Sequence, residues 1–175
     1  MKYTYCLNSS ETFQWELYFS LQDEDAPGSP SELLNSDLQG IIATVPGNVE
    51  VDLEAAGKIK NPEIGNNVYD LREFELYRWW YRCRFNKPEV PDGHEVRLCF
   101  DGIDCIADIW LNDEKIGRKE NMFVEHRFDV TDLLLPDNEL YICIYSPILE
   151  GRKYQREFFG VRYDALGGES VNIRK

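Results

Sequence analysis

Apolar residues recur at every second position in several short runs of this chain. Phe13, Trp15, Leu17 and Phe19 form the first run; Trp79, Tyr81, Cys83 and Phe85 form another, with Trp80, Arg82 and Arg84 between them. Val96, Leu98 and Phe100 alternate with Arg97 and Cys99, and Ala107, Ile109 and Leu111 alternate with Asp108 and Trp110. Leu140, Ile142 and Ile144 alternate with Tyr141, Cys143 and Tyr145. Successive side chains of a strand point to opposite faces, so each run predicts a strand with one face turned to a core. Residues 41–46 read as a further short strand ending at Pro46. Turn residues separate the runs: Pro91-Asp92-Gly93, Asp101-Gly102, Asn112-Asp113-Glu114 and Pro136-Asp137-Asn138. Many short strands with turns at near-even spacing predict an all-β antiparallel sandwich of the jelly-roll type, with one or two short helices.

One helix has a clear grammar. Asn48 is a candidate N-cap, Glu50 and Asp52 put negative charge in the first turn, and Gly57 suits the left-handed residue that ends a helix, which predicts a helix over 48–56. Residues 23–37 are rich in acids, Pro, Gly and Ser and read as a loop; 58–75 read as a polar loop around Asn61-Pro62 and Gly65-Asn66-Asn67. Residues 157–175 carry no cap or strand signal, and the expectation is a chain cut within a longer protein. Residues 1–175 are read as a single domain, which the length suits.

Composition narrows the function classes. The chain carries 32 acidic and 19 basic residues, a formal net charge of −13. That balance argues against nucleic acid, whose phosphates need a Lys/Arg surplus, and against anionic membranes. No apolar run reaches the roughly 18–20 residues that span a bilayer. The first ten residues lack the apolar core of a secretory signal, so the chain is expected in the cytoplasm if Met1 is the native start. The five cysteines have no zinc or redox spacing, and Cys83, Cys99 and Cys143 read as small buried residues within strands.

The catalytic motifs that sequence can reveal are missing. His94 and His126 have no nucleophile elbow or cysteine motif near them, and no His-Glu-x-x-His occurs. The glycines fit neither phosphate-binding pattern, and no cofactor is implied. Asp101 and Asp104 read as turn residues capping backbone amides. Trp79, Trp80 and Trp110 are the better lead, because Trp80 and Trp110 point away from the apolar face of their strands. An outward Trp either stacks on a sugar ring or lies beneath another domain.

An ordered set of segments resembles one family. It includes Val45-Pro46-Gly47-Asn48-Val49, Asp52-Leu53-x-x-Ala56-Gly57, Asn61-Pro62 and Gly65-Asn66-Asn67. It continues through Trp80-Tyr81-Arg82-x-Arg84-Phe85, Phe100-Asp101-Gly102-Ile103-Asp104-x-x-Ala107, Leu111-Asn112-x-x-x-Ile116-Gly117, Asn121-Met122-Phe123-x-x-His126-x-Phe128-Asp129-Val130-Thr131 and Ser146-Pro147. The set resembles the N-terminal domain of family 2 glycoside hydrolases, in the branch of β-mannosidases and exo-glucosaminidases. The resemblance implies a galactose-binding-like jelly roll that precedes an immunoglobulin-like domain and a (β/α)₈ barrel. It places both catalytic glutamates on that barrel, so none is assigned here. It also implies that residues 171–175 lead towards a Trp-Asp-Trp motif that reaches the sugar. Where the family's hairpin reads Asn-Gly, this chain has Asn112-Asp113, and Asp113 is expected to tolerate the turn.

The expected role is to support the barrel and wall the pocket in which a retaining hydrolase cleaves a terminal β-linked sugar. The partners implied are a β-mannoside or related glycan and the chain's own barrel. Asn66, Asn67, Trp79 and Trp110 are the candidate sugar contacts; the two asparagines read first as turn residues that tolerate left-handed geometry and only second as sugar contacts. An autonomous carbohydrate-binding module and a purely structural interaction domain are the competing readings.

Overall fold

A computed structural model describes residues 3–153. Eight strands form two antiparallel sheets: β1 (Trp15–Leu21), β2 (Ile41–Ala43), β3 (Tyr77–Asn86), β4 (Arg97–Phe100), β5 (Ala107–Leu111), β6 (Glu114–Lys119), β7 (His126–Asp129) and β8 (Asp137–Ile144). The larger sheet has the order β2-β1-β3-β8-β5-β6, and β4 pairs with β7 in the smaller one. The alternation of apolar residues thus becomes a two-layer sandwich, as the sequence pattern predicts.

Register builds the core in rows. Leu17 lies opposite Tyr81, Tyr81 opposite Ile142, Ile142 opposite Ile109, and Ile109 opposite Gly117. Neighbouring rows run through Trp15, Cys83, Leu140 and Leu111, and through Phe19, Trp79, Ile144 and Ala107. These residues pack on Phe128, Val130 and Leu134 from the other layer and its flank. Gly117 has a packing reason to lack a side chain, because a Cβ there would collide with the Phe128 ring.

The helices are short and capped. α2 (Val49–Ala55) starts at Asn48, whose side chain accepts the Val51 N–H at 2.9 Å. It ends with Gly57 at φ 67°, the Gly57 N–H bonded to the Glu54 carbonyl and the Lys58 N–H to the Leu53 carbonyl. That pair of bonds is a Schellman ending, as the placement of Gly57 predicts.

Three local expectations are corrected. Residues 23–37 are not all loop, because α1 (Pro30–Leu34) lies within them. Ser29 caps it by accepting the Glu32 N–H, while the Glu32 carboxylate accepts the Gly28 N–H at 2.7 Å. Ser29-Pro30-Ser31-Glu32 is a Ser-x-x-Glu start signal with Pro at the first helical position, and the acidic loop composition around it obscured it. Residues 58–75 are likewise not all loop: Asn67–Leu76 winds as a 3-10 helix. With α3 (Pro147–Arg152), capped by Ser146, the described residues hold three α-helices and this 3-10 segment. In the β5–β6 hairpin the positive φ belongs to Asn112, at 58°, and not to Asp113.

The cysteines divide. Cys83 and Cys143 are buried, and burial pushes their thiols up to about 11 and about 12. Cys99 is exposed, contrary to the expectation, because it projects from the outer face of the two-stranded sheet. His126 is buried and sits 2.7 Å from the Asn121 carbonyl through Nε2, a structural tie that puts the ring proton there.

Candidate functional site

One end of the sandwich is closed by aromatics. Phe19, Phe74, Tyr77 and Trp79 make all six possible ring contacts among themselves, with centroids 5.1–6.3 Å apart. Side chains three apart eclipse in a 3-10 helix, which sets Val68, Leu71 and Phe74 in one apolar row; Phe74 at its end packs on the core, while Val68 is exposed. Between this row and α2 lies a groove of about 80 Å³ lined by Val49, Glu50, Leu53, Leu71, Phe74, Glu75, Trp79 and Pro147.

Beside the groove, α3 is fastened by buried polar groups. Ser146 accepts the Leu149 N–H, donates its hydroxyl to the Glu75 carbonyl at 2.5 Å, and donates its N–H to Gln22 at 2.8 Å. Glu150, only 3% exposed, accepts from Gln22 at 3.0 Å, Arg118 at 3.1 Å and Lys153 at 2.7 Å. Burial alone would raise the Glu150 carboxyl, but the Lys153, Gln22 and Arg118 contacts outweigh it and hold the group below the usual glutamate value. The strands, the 3-10 segment and α3 therefore share one polar anchor.

Asp52 behaves oppositely. It is buried, its Oδ1 accepts the Thr44 N–H at 2.9 Å, and its Oδ2 has no hydrogen-bond partner. Burial raises its carboxyl above the ordinary value in spite of the Thr44 bond. The Tyr81 hydroxyl is raised by burial first, then by the charges of Asp52 and Glu50.

The four candidate sugar contacts do not converge. Asn66 is exposed at the start of the 3-10 segment, with φ −104° and no side-chain cap bond. Asn67 donates its amide to the Asn61 carbonyl at 2.8 Å, while the left-handed position of this loop is Gly65, at φ 58°. Trp79 faces the core, 7% exposed, and reaches the groove floor. Trp110 lies on the opposite face of the same sheet, half-buried, with the Lys115 ammonium 5.8 Å from its ring centre. Trp79 and Trp110 therefore cannot line one pocket.

Trp80 does point away from the main core, but it is not available to a ligand. It is buried with Leu33, Tyr141 and Cys143, so the cover comes from α1 of this same chain. Leu71, Phe74, Glu75 and Pro147 were missed as groove residues. The three-residue apolar spacing of Val68, Leu71 and Phe74 is the signal that would have found Leu71 and Phe74; nothing local points to Glu75 or Pro147. Among the described residues no group of three His, Cys, Asp or Glu side chains could hold a metal ion, and no helix is long and apolar enough to cross a membrane.

The fold and its matched segments define a class, the galactose-binding-like sandwiches. Residues 19–175 match the family model described as the glycosyl hydrolase 2 galactose-binding domain-like domain, and the chain belongs to that family. The chain is 39% identical over 149 residues to β-mannosidase B of Aspergillus clavatus, covering 83% of this chain and 18% of that protein. It is 36% identical over 115 residues to the β-mannosidase of Rattus norvegicus, covering 65% and 13%. The crystal structure of β-D-mannosidase from Dictyoglomus thermophilum superposes with a TM-score of 0.61 at 31% identity, covering 82% of this chain and 16% of that one. The chain thus spans less than a fifth of the length of these relatives.

Proposed function

We propose that this chain is the non-catalytic sandwich domain of a larger β-mannosidase-like glycoside hydrolase. In that setting it supports an immunoglobulin-like domain and a catalytic barrel beyond residue 175, and helps wall a pocket for a terminal β-linked sugar. The observation that carries the reading is the asymmetry of the match: most of this chain aligns to a small fraction of a β-mannosidase. The buried carboxylates support it, since Asp52, Asp108 and Glu150 each hold other parts of the sandwich in place. Asn66 and the edge of Trp79 are the candidates for the pocket side; Asn67 is committed to Asn61.

The test is hydrolysis of p-nitrophenyl β-mannoside. The isolated chain should give no rate above the uncatalysed reaction, and the chain extended through its downstream coding sequence should turn the substrate over. Turnover by residues 1–175 alone, or a native stop codon after Lys175, would overturn the reading. Calorimetry of the isolated chain with millimolar methyl β-mannoside distinguishes the autonomous binding module, which requires measurable heat.

A further inference from the structure

Residues 26–40 cross the outer face of the six-stranded sheet and hold to it at separate points. At the start of the segment the Ala26 and Pro27 carbonyls accept from Arg78 Nη1 at 3.3 and 2.6 Å. In its middle Leu33 is buried against Trp80, Tyr141 and Cys143, and Leu38 packs on the same cluster. At its end Gly40 lies so close to the Tyr18 ring that a Cβ would stand 2.7 Å from it. Its helix, α1, has five residues, too few to keep their shape without this seat. The seat is imperfect. Arg78 Nε and Trp80 Nε1, together with Trp110 Nε1 beside the same cluster, are buried with no hydrogen-bond partner in the protein. Each such donor costs free energy that exposure to water recovers.

The contact that latches the start of this segment is shared with α3. The Arg78 guanidinium carbon lies 5.0 Å from the centre of the Tyr145 ring, and the Arg118 guanidinium carbon lies 5.0 Å from the same centre. Arg78 is on β3 and Arg118 on β6, which flank β8 on opposite sides. The Tyr145 hydroxyl donates to Asp108 Oδ2 at 2.8 Å, and Arg118 donates to Glu150, the buried carboxylate that anchors α3, at 3.1 Å. We propose that residues 26–40 are a strap that opens as one unit while the sandwich stays folded, and that Tyr145 couples its latch to the anchor of α3, so that loosening either loosens the other. Opening leaves the rows of the main core untouched, because the strap sits on the opposite face of the sheet. It returns the orphaned Arg78 and Trp80 donors to water and uncovers Trp80 and Tyr141, which gives the outer face a second state. The coupling follows from one ring that serves two cations: when Arg78 leaves the strap carbonyls or Arg118 leaves Glu150, the ring and the other guanidinium lose the position that both latches define.

Amide hydrogen exchange at several low urea concentrations tests this. The Leu33, Asn35 and Ser36 amides, all bonded within the strap, should exchange at least about tenfold faster than the paired amides of β3 and β8, with a much weaker dependence on urea. Arg78→Met should speed the strap amides about tenfold and also speed the Glu150 amide, which reports on α3. Glu150→Gln should speed the strap amides in return, because coupling between two equilibria is reciprocal. Leu33→Ala, which loosens the strap away from Arg78, should speed the Glu150 amide as well and keeps the test open if Arg78→Met does not fold. In a Tyr145→Leu background each of these cross effects should vanish. Cys99→Ser, on the other sheet, should alter neither set, and melting curves verify that each variant is folded. Strap amides that exchange with the urea dependence of β3 and β8 overturn the separate opening. A Glu150 amide that ignores both Arg78→Met and Leu33→Ala, or a cross effect that survives Tyr145→Leu, overturns the coupling.

Discussion

The two faces of the six-stranded sheet are built from alternate residues of the same strands, yet they follow different physics. On the inner face, the row Leu17, Tyr81, Ile142 and Ile109 is closed by burial against the other layer. One residue away, the outer row is Glu16, Arg82, Tyr141, Trp110 and Lys115. Arg82 reaches Glu16 at 3.3 Å and Glu139 at 2.5 Å, and Tyr141 donates to Glu139 at 2.5 Å. The inner face is stabilised by removing apolar area from water. The outer face pairs charges and aromatic rings under a thin cover from α1. A strand shifted by one register would exchange the two sets and bury the ions, so the contrast also specifies the pairing.

The contrast predicts a ranking. Leu17→Ala on the inner face should cost the most, about 2–5 kcal/mol, because the site is fully enclosed and cannot collapse. Urea denaturation measures it, and a cost below about 1 kcal/mol would mean that the inner face is not close-packed.

Two buried carboxylates should then respond to acid in opposite ways. Glu150 has a depressed folded-state value, so its stabilisation is present above the ordinary 4.5 and is lost as pH falls through the folded value. The advantage of the wild type over Glu150→Gln, about 1–3 kcal/mol at neutral pH, should shrink on acidification. Asp52 has a raised folded-state value, so the folded state keeps its proton in the window above the ordinary 3.8, and stability falls as pH rises through that window. The wild type should therefore lose ground to Asp52→Asn between about pH 4 and neutrality. Denaturant titrations at several pH values read both slopes, and parallel slopes would break the distinction between the paired and the half-paired group.

Arg82→Met should cost only about 1 kcal/mol, since a long apolar side chain replaces the buried guanidinium and both glutamates can turn to water. A loss as large as that of Leu17→Ala would show that the outer row governs the fold equally. The smallest effect belongs to Cys99→Ser, within about 0.5 kcal/mol, as expected for an exposed site. Thermal melts beside Cys143→Ser, where a hydroxyl enters a fully buried position, should separate the two cysteines.

Period-two patterns needed no tertiary information. The alternation in Trp15–Leu21, Tyr77–Asn86, Ala107–Leu111 and Asp137–Ile144 named the strands and their core faces before any pairing was known. The cap at Asn48 and the ending at Gly57 were legible for the same reason: capping is a contact between residues three to five apart. The ordered motifs placed the chain in its family. The period-three row of the 3-10 segment escaped because single turns of 3-10 helix are common but ten-residue ones are not. The cap at Ser29 was hidden by the composition of its surroundings.

What no local pattern could supply was the neighbour of each outward-facing residue. Trp80 and Trp110 carry the same alternation signal, but only the fold brings Leu33, 47 positions before Trp80, over one of them. In the same way Gln22, Glu75, Arg118 and Glu150 are far apart in sequence and meet only because four elements end at one corner. The sequence by itself determined which residues turn inward and which family the domain resembles, because both depend on local spacing and residue order. The tertiary structure decided what covers the outer face, where the groove opens and what anchors α3, because those depend on contacts between residues that spacing does not relate.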